Sequence, residues 1–182
     1  VVNGGHGVQK TAGGTAWNAH VYSATKIGGG CAITFQLAQA NYPIMIGLNT
    51  DPTANTSYNT LDYAWYARGD GTTDVRVNGS AVGGNRGSYN SNTVFSITYD
   101  NERVSYYMDG VIKHSVPLGA GKVFHLDSSF YSQTGNVQTK FISFVPMGTK
   151  GTKGDKGDRG LTGATGPQGS RGVSGPAGAT GP

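Results

Sequence analysis

One cysteine and one glutamate among 182 residues remove several chemistries at once. Cys31 has no partner for an intrachain disulfide, so a packed core has to hold the fold. It stands in a run where Cys31, Ile33, Phe35 and Leu37 alternate with Ala32, Thr34 and Gln36. That pattern predicts a small buried apolar residue, ahead of an interchain disulfide or a nucleophile. Glu102 lies at a hairpin turn beside Asp100, which reads as two solvated turn carboxylates and not as the pair that flanks a scissile glycosidic bond. The chain is expected to be no enzyme. His6, His20, His114 and His125 are too scattered for a zinc-like spacing. No apolar run approaches the roughly 20 residues of a membrane-spanning helix, so membrane insertion is not expected. The chain starts at Val1 without Met or a leader pattern, which reads as a fragment or a processed form.

Proline is scarce too, at seven, while glycine reaches 31. From 148 to 181 every third residue is glycine: 148, 151, 154, 157, 160, 163, 166, 169, 172, 175, 178 and 181. A strict Gly-X-Y period is required where three polyproline II chains wind about one axis and a Cβ does not fit. Residues 148–182 are therefore predicted to be one strand of a collagen triple helix, which obliges two further copies to join in a trimer. At about 3 Å per residue the rod would be roughly 100 Å long. No proline occupies Y, so hydroxyproline cannot stabilise it there. Lys153-Gly154-Asp155 and Lys156-Gly157-Asp158 place cations in Y and anions in the next X. Lys153, Asp155, Lys156 and Asp158 are thus expected to form interchain salt bridges, each worth about 0.2–1 kcal/mol.

Residues 1–147 are a different material. They carry nine Lys/Arg against eight Asp/Glu, and the tail five against two. The net charge of +4 thus comes largely from the tail, and no basic-aromatic face points to nucleic acid.

Period-two alternation recurs along this head and helical periodicity does not. Ile44, Ile46 and Leu48 alternate with Met45 and Gly47, while Tyr63, Trp65 and Ala67 face opposite to Ala64, Tyr66 and Arg68. Asn78-Gly79 and Asp109-Gly110 are two-residue hairpin turns. Phe95, Ile97 and Tyr99 pass through Asp100-Asn101 to Val104, Tyr106 and Met108, giving a meander. With runs at 122–131 and 137–145 the head is expected to hold about ten strands. An all-β, antiparallel, jelly-roll-like β-sandwich follows, because two sheets laid face to face hide their apolar faces. Residues 1–19 are too glycine-rich for a confident strand and are expected to run over the surface or along a neighbouring subunit.

The stretch 94–112, with its strand, short turn, aromatic strand and Asp-Gly, resembles the hairpin pair of concanavalin A-like lectin/glucanase sandwiches and the related laminin-G and SPRY-type domains. Residues 44–49 are similar to an earlier strand of the SPRY-type members. The Glu-x-Asp-x-x-Glu strand of the glucanases is absent, and no set of legume-lectin calcium ligands is matched. A β head joined to Gly-X-Y repeats without Y-proline also resembles bacteriophage tail fibres and bacterial collagen-like surface proteins. This resemblance implies a trimeric fibre, extracellular, on a cell surface or on a virion.

Two polar loops are the candidate ligand sites, because sugar sites combine exposed aromatics with Asn, Asp and Arg. Residues 49–59 offer Asp51, Asn55 and Tyr58, and residues 83–92 offer Asn85, Arg86, Tyr89 and Asn90. Asp70 and Asp74, in Asp70-Gly71-Thr72-Thr73-Asp74, are the best local calcium candidates, beside the plainer reading of a hairpin turn. No other cofactor is expected. Two functions stand open: adhesion to cell-surface glycans at the end of a rod, or a structural head that caps the trimer or joins neighbouring subunits in a filament.

Overall fold

The computed structural model describes residues 2–3, 7–134, 136, 138–148, 156, 160, 162–176, 178 and 181. The chain divides into a compact unit, Val1–Gly151, and a second unit, Thr152–Pro182.

The first unit is all β. In chain order its strands are β1 (Val2–Asn3), β2 (Gly7–Val8), β3 (Ala19–His20), β4 (Ile27–Gly28), β5 (Cys31–Leu37), β6 (Ile44–Asn49), β7 (Tyr63–Ala67), β8 (Thr72–Val77), β9 (Ser80–Ser88), β10 (Val94–Tyr99), β11 (Arg103–Met108), β12 (Val111–Pro117), β13 (Val123–Phe130) and β14 (Thr139–Pro146). Two antiparallel sheets form a sandwich. The smaller has the order β12-β11-β10-β5-β14, and the larger β3-β13-β6-β7-β8-β9, with β4 also paired to β13. β1 and β2 form a separate hairpin.

The expected hairpins close as their turn residues require. Asn78 and Gly79 have φ of 48° and 73°, and Asp109 and Gly110 have 52° and 77°. Both central residues of each turn are left-handed, which matches the twist of the flanking strands. The core between the sheets is aromatic. Phe35 and Phe95 stack with centroids 5.0 Å apart, Trp65 meets Tyr106 edge-on at 5.8 Å, and Tyr99 meets Phe124 at 5.3 Å. Each such ring, fully buried, contributes about 1.5–3 kcal/mol. The polar ends are satisfied: Trp65 Nε1 donates to the Ser96 carbonyl at 3.1 Å, and the Tyr106 hydroxyl to the Arg76 carbonyl at 3.0 Å. Cys31 is fully buried in this core, and burial pushes its thiol up to about 12.

β6 is buried along its whole length, so both of its faces are covered. Met45, Leu61 and Ala64 form a second apolar cluster on the outer face of the larger sheet, with Trp17, Tyr58 and Tyr66 packed on it. Much of the cover comes from the glycine-rich N-terminal segment, which lies along its own head: Ala16 N donates to the Tyr131 carbonyl at 2.9 Å, and Gln133 N to the Gly14 carbonyl at 3.1 Å.

The outer face of the smaller sheet is different. β5 and β10 alternate strictly between buried and half-buried residues, so Ala32, Thr34 and Gln36 turn outward beside Val94, Ser96 and Thr98. Thr34 Oγ1 and Ser96 Oγ lie 3.2 Å apart. On edge strand β14, Ile142 and Phe144 pack on the core, which turns Phe141, Ser143 and Val145 outward.

In the second unit the described residues form neither helix nor strand, and all of them are exposed. Lys153, Asp155 and Asp158, three of the four expected salt-bridge residues, lie outside the described residues. Lys156 is exposed.

Candidate functional site

Most of the polar loop residues singled out from the sequence serve their own turns. The side-chain oxygens of Asn55, Asn85 and Asn90 accept hydrogen bonds from the backbone N–H two residues on, at 2.7, 2.7 and 2.8 Å. Asp51 accepts from the Thr53 hydroxyl at 2.9 Å. Such local bonds are how Asn and Asp make turns.

Three expectations are corrected. Residues 83–92 are not one loop, because β9 runs through Ser88; the ladder with β8 breaks between Thr73 and Val75, where residues 83–86 bulge outward opposite Asp74. Tyr89 is 5% exposed and edge-on to Phe95, with its hydroxyl donating to the Arg68 carbonyl at 2.8 Å; it is a core residue and burial raises its pKa. Asp70 and Asp74 do not form a cation site. Asp70 is turned to Thr72, whose N–H and hydroxyl donate to it at 2.9 and 2.7 Å. Asp74 is buried and ion-paired to Arg68 and Arg76. Among the described residues no group of three or more His, Cys, Asp or Glu is placed to hold a metal ion.

Arg86 is half-buried and folds back on its own bulge. Its Nη2 donates to the Val82 carbonyl at 2.6 Å and lies 3.5 Å from His114 Nδ1. The guanidinium and burial together hold the His114 imidazole below its usual pKa, burial being the larger cause.

Tyr58 alone among the loop residues joins a larger feature, on the outer face of the larger sheet. Its ring is 5.1 Å from Trp17, and Trp17 also meets Tyr131 at 5.2 Å and Tyr66 at 5.8 Å. The four rings are half-buried. Tyr66 reaches this face because it alternates with the inward Trp65 on β7. Arg68 and Arg76 lie over the Tyr66 ring, 5.5 and 5.0 Å from its centroid, and the ring gains from both cations. Asp74 orients them: Arg68 Nε donates to its Oδ2 at 3.0 Å and Arg76 Nε to its Oδ1 at 2.9 Å. The hydrogen bond that Arg68 donates to Asp74 is the main reason the Arg68 pKa is raised. Burial pushes the Tyr66 phenol up, and the two guanidiniums pull it back. The result is a rigid surface of aromatic rings and guanidinium edges. Arg68 remains 42% exposed, so it can meet a ligand without losing its support.

A second polar group lies on the same face. Asp127 of β13 is buried and accepts from Asn49 Nδ2 at 2.8 Å and from Ser128 N at 2.7 Å. His20 Nδ1 is 3.9 Å from Asp127. That nitrogen is buried without a hydrogen-bond partner among the described residues. Burial raises the Asp127 pKa against the pull of these donors. His20 also borders a cavity of about 200 Å³ lined by Val8, Lys10, Ala19 and Phe130. Lys10 is sunk beside it, with its ammonium donating to the Tyr131 carbonyl at 2.8 Å, and burial lowers its pKa.

The aromatic–arginine surface escaped sequence reasoning because Trp17 sits among glycines and Tyr66 next to a core tryptophan. The available signal was the parity of β7, which turns Tyr66 and Arg68 to one side.

No family model matches the chain, and no curated protein does. Among solved structures, the SPRY domain of human HERC1 is similar with a TM-score of 0.56 at 15% identity, covering 82% of this chain and 94% of that one. The exoplasmic/lumenal domain of VIP36, in a Ca2+/Man-bound form, is similar with a TM-score of 0.51 at 11% identity, covering 73% and 75%. The head therefore has a lectin-like, SPRY-like β-sandwich fold.

Proposed function

We propose that this chain is a subunit of a trimeric fibre whose β-sandwich head recognises carbohydrate, and that it works outside the cell or on a virion. The observation that carries the recognition is the row of half-buried rings Trp17, Tyr58, Tyr66 and Tyr131, flanked by Arg68 and Arg76 on a buried Asp74. Sugar rings stack on aromatic faces, and the guanidinium edges supply donors for hydroxyl or carboxylate oxygens. The fold shared with the Ca2+/Man-bound VIP36 domain supports this reading. Asp74 holds two arginines here, so the proposed binding is independent of calcium.

The rod rests on the sequence period and on one property of the tail. A Cβ added at Gly160, Gly163, Gly166, Gly169, Gly172 or Gly175 would meet nothing within 4 Å, and none of these glycines has positive φ. Nothing inside a single chain requires glycine at those positions. Three chains sharing an axis do. Trimerisation then multiplies a modest single-site affinity through effective concentration.

A glycan array probed with the full chain tests the head. Binding that survives EDTA and falls more than about tenfold in Trp17→Ala and Tyr58→Ala, each first checked for native circular dichroism, is the expected result. A blank array over neutral and acidic glycans overturns carbohydrate recognition.

A further inference from the structure

We infer that the outer face of the smaller sheet, at the end of β14, is where the heads of the trimer pack on one another. This rests on the trimeric reading above and names the surface it would use. Two independent observations converge on it.

The first is composition. An exposed sheet face is normally studded with charge, which keeps it soluble and unpaired. Beside the end of β14 the outward residues carry none: Ala32, Thr34 and Ser96 stand at the centre, Val145 at the edge is 46% exposed, and the charges of this sheet's outer side are held away from it, Lys140 at the start of β14 and Arg103 on β11. The cross-strand row Val145, Ala32, Thr98 is fixed by the register of β14, β5 and β10. Small side chains make the surface flat, and depletion of charge is the mark of an interface centre. The opposite outer face, by contrast, carries Arg68, Arg76, Asp74 and Asp127.

The second is connectivity. β14 ends at Pro146, and only Met147 separates it from Gly148, where the Gly-X-Y period begins. Met147 N is itself tied to the head by its bond to the Gly30 carbonyl at 3.1 Å. A chain spans at most about 3.6 Å per residue, so three strands gathered on one axis hold the three Pro146 residues close to it. Whatever surrounds the end of β14 must then face its counterparts in the other two copies. Val145 is the exposed apolar residue at that place. A second copy of this chain, related by threefold rotation, is thus the occupant that covers the face, with the three Val145 side chains nearest the axis.

The full chain tests this directly. Val145→Cys is expected to form interchain disulfides under mild oxidation, whereas Ile112→Cys, 55% exposed on β12, is not; the buried Cys31 stays out of the reaction. Val145→Glu is expected to weaken the trimer by more than about tenfold in sedimentation equilibrium, since it desolvates three like charges together, and to lower the melting temperature of the triple helix. Ile112→Glu should change neither. If the chain sediments as a trimer while Val145→Cys fails to cross-link and Val145→Glu melts like the parent, the surface assigned here is wrong and the trimer stands. If the parent chain sediments as a monomer and lacks a collagen-type circular dichroism band, the trimeric reading itself fails, and this surface with it.

Discussion

Two aspartates are sunk into the same sheet face, and their surroundings settle them differently. Asp74 meets two guanidiniums that stay partly in water, so its charge is compensated on the spot. Asp127 has an amide, a backbone N–H and a histidine 3.9 Å away, and burial wins: its pKa is raised. The folded head therefore holds a proton on Asp127 at pH values where the unfolded chain has released it. Asp127 thus favours folding below the ordinary carboxylate pKa, and that advantage is lost as pH rises through the raised value. Asp127→Asn keeps an acceptor for Ser128 N at the Oδ1 position but sets its amide donor against Asn49 Nδ2, so the bond that Oδ2 accepts is lost. Its expected effect is a loss of about 1 kcal/mol below the ordinary carboxylate pKa, from the lost Asn49 bond, and a flatter dependence of stability on pH above it, because the variant no longer titrates. Urea titrations of parent and variant on both sides of that pKa check both.

The turns between strands carry steric demands of their own. At Gly79, φ is 73°, and an added Cβ would come 2.6 Å from the Asn59 carbonyl oxygen. Gly79→Ala is expected to cost roughly 1–3 kcal/mol, read as a lower denaturation midpoint with an unchanged slope. Turn residues of this kind, together with clean alternation, are why β5 to β8 and β10 to β14 could be read from the sequence. The remainder was hidden for definite reasons. β9 has glycine at three of its nine positions and no alternation, so it resembled a loop. β1 to β4 are two residues each, too short for any period to show. The loop polar residues looked like ligand donors because the side-chain oxygens that close Asx turns are the same types that bind sugars. Only the three-dimensional hydrogen bonds tell the two uses apart.

At the level of the whole molecule, the head is held by its own core, while the tail's described residues make no sheet or helix of their own. A defect in the tail should therefore leave the head intact. Gly166→Ala is expected to lower the melting temperature of the collagen-type circular dichroism signal, because a methyl group enters the crowded axis. The melting of the head, followed by aromatic near-ultraviolet signals, should move much less, by no more than the head-to-head packing transmits. If the two melts shift together, the units are coupled and the rod-and-head division is wrong.

The fully buried position of Cys31 has a practical corollary. A lone thiol sealed between two sheets reacts with a reagent only when the sandwich parts, so its labelling rate reports how often that happens. The protein thus carries its own clock for opening, readable in dilute solution without an added dye, and any bound partner that clamps the head would slow it.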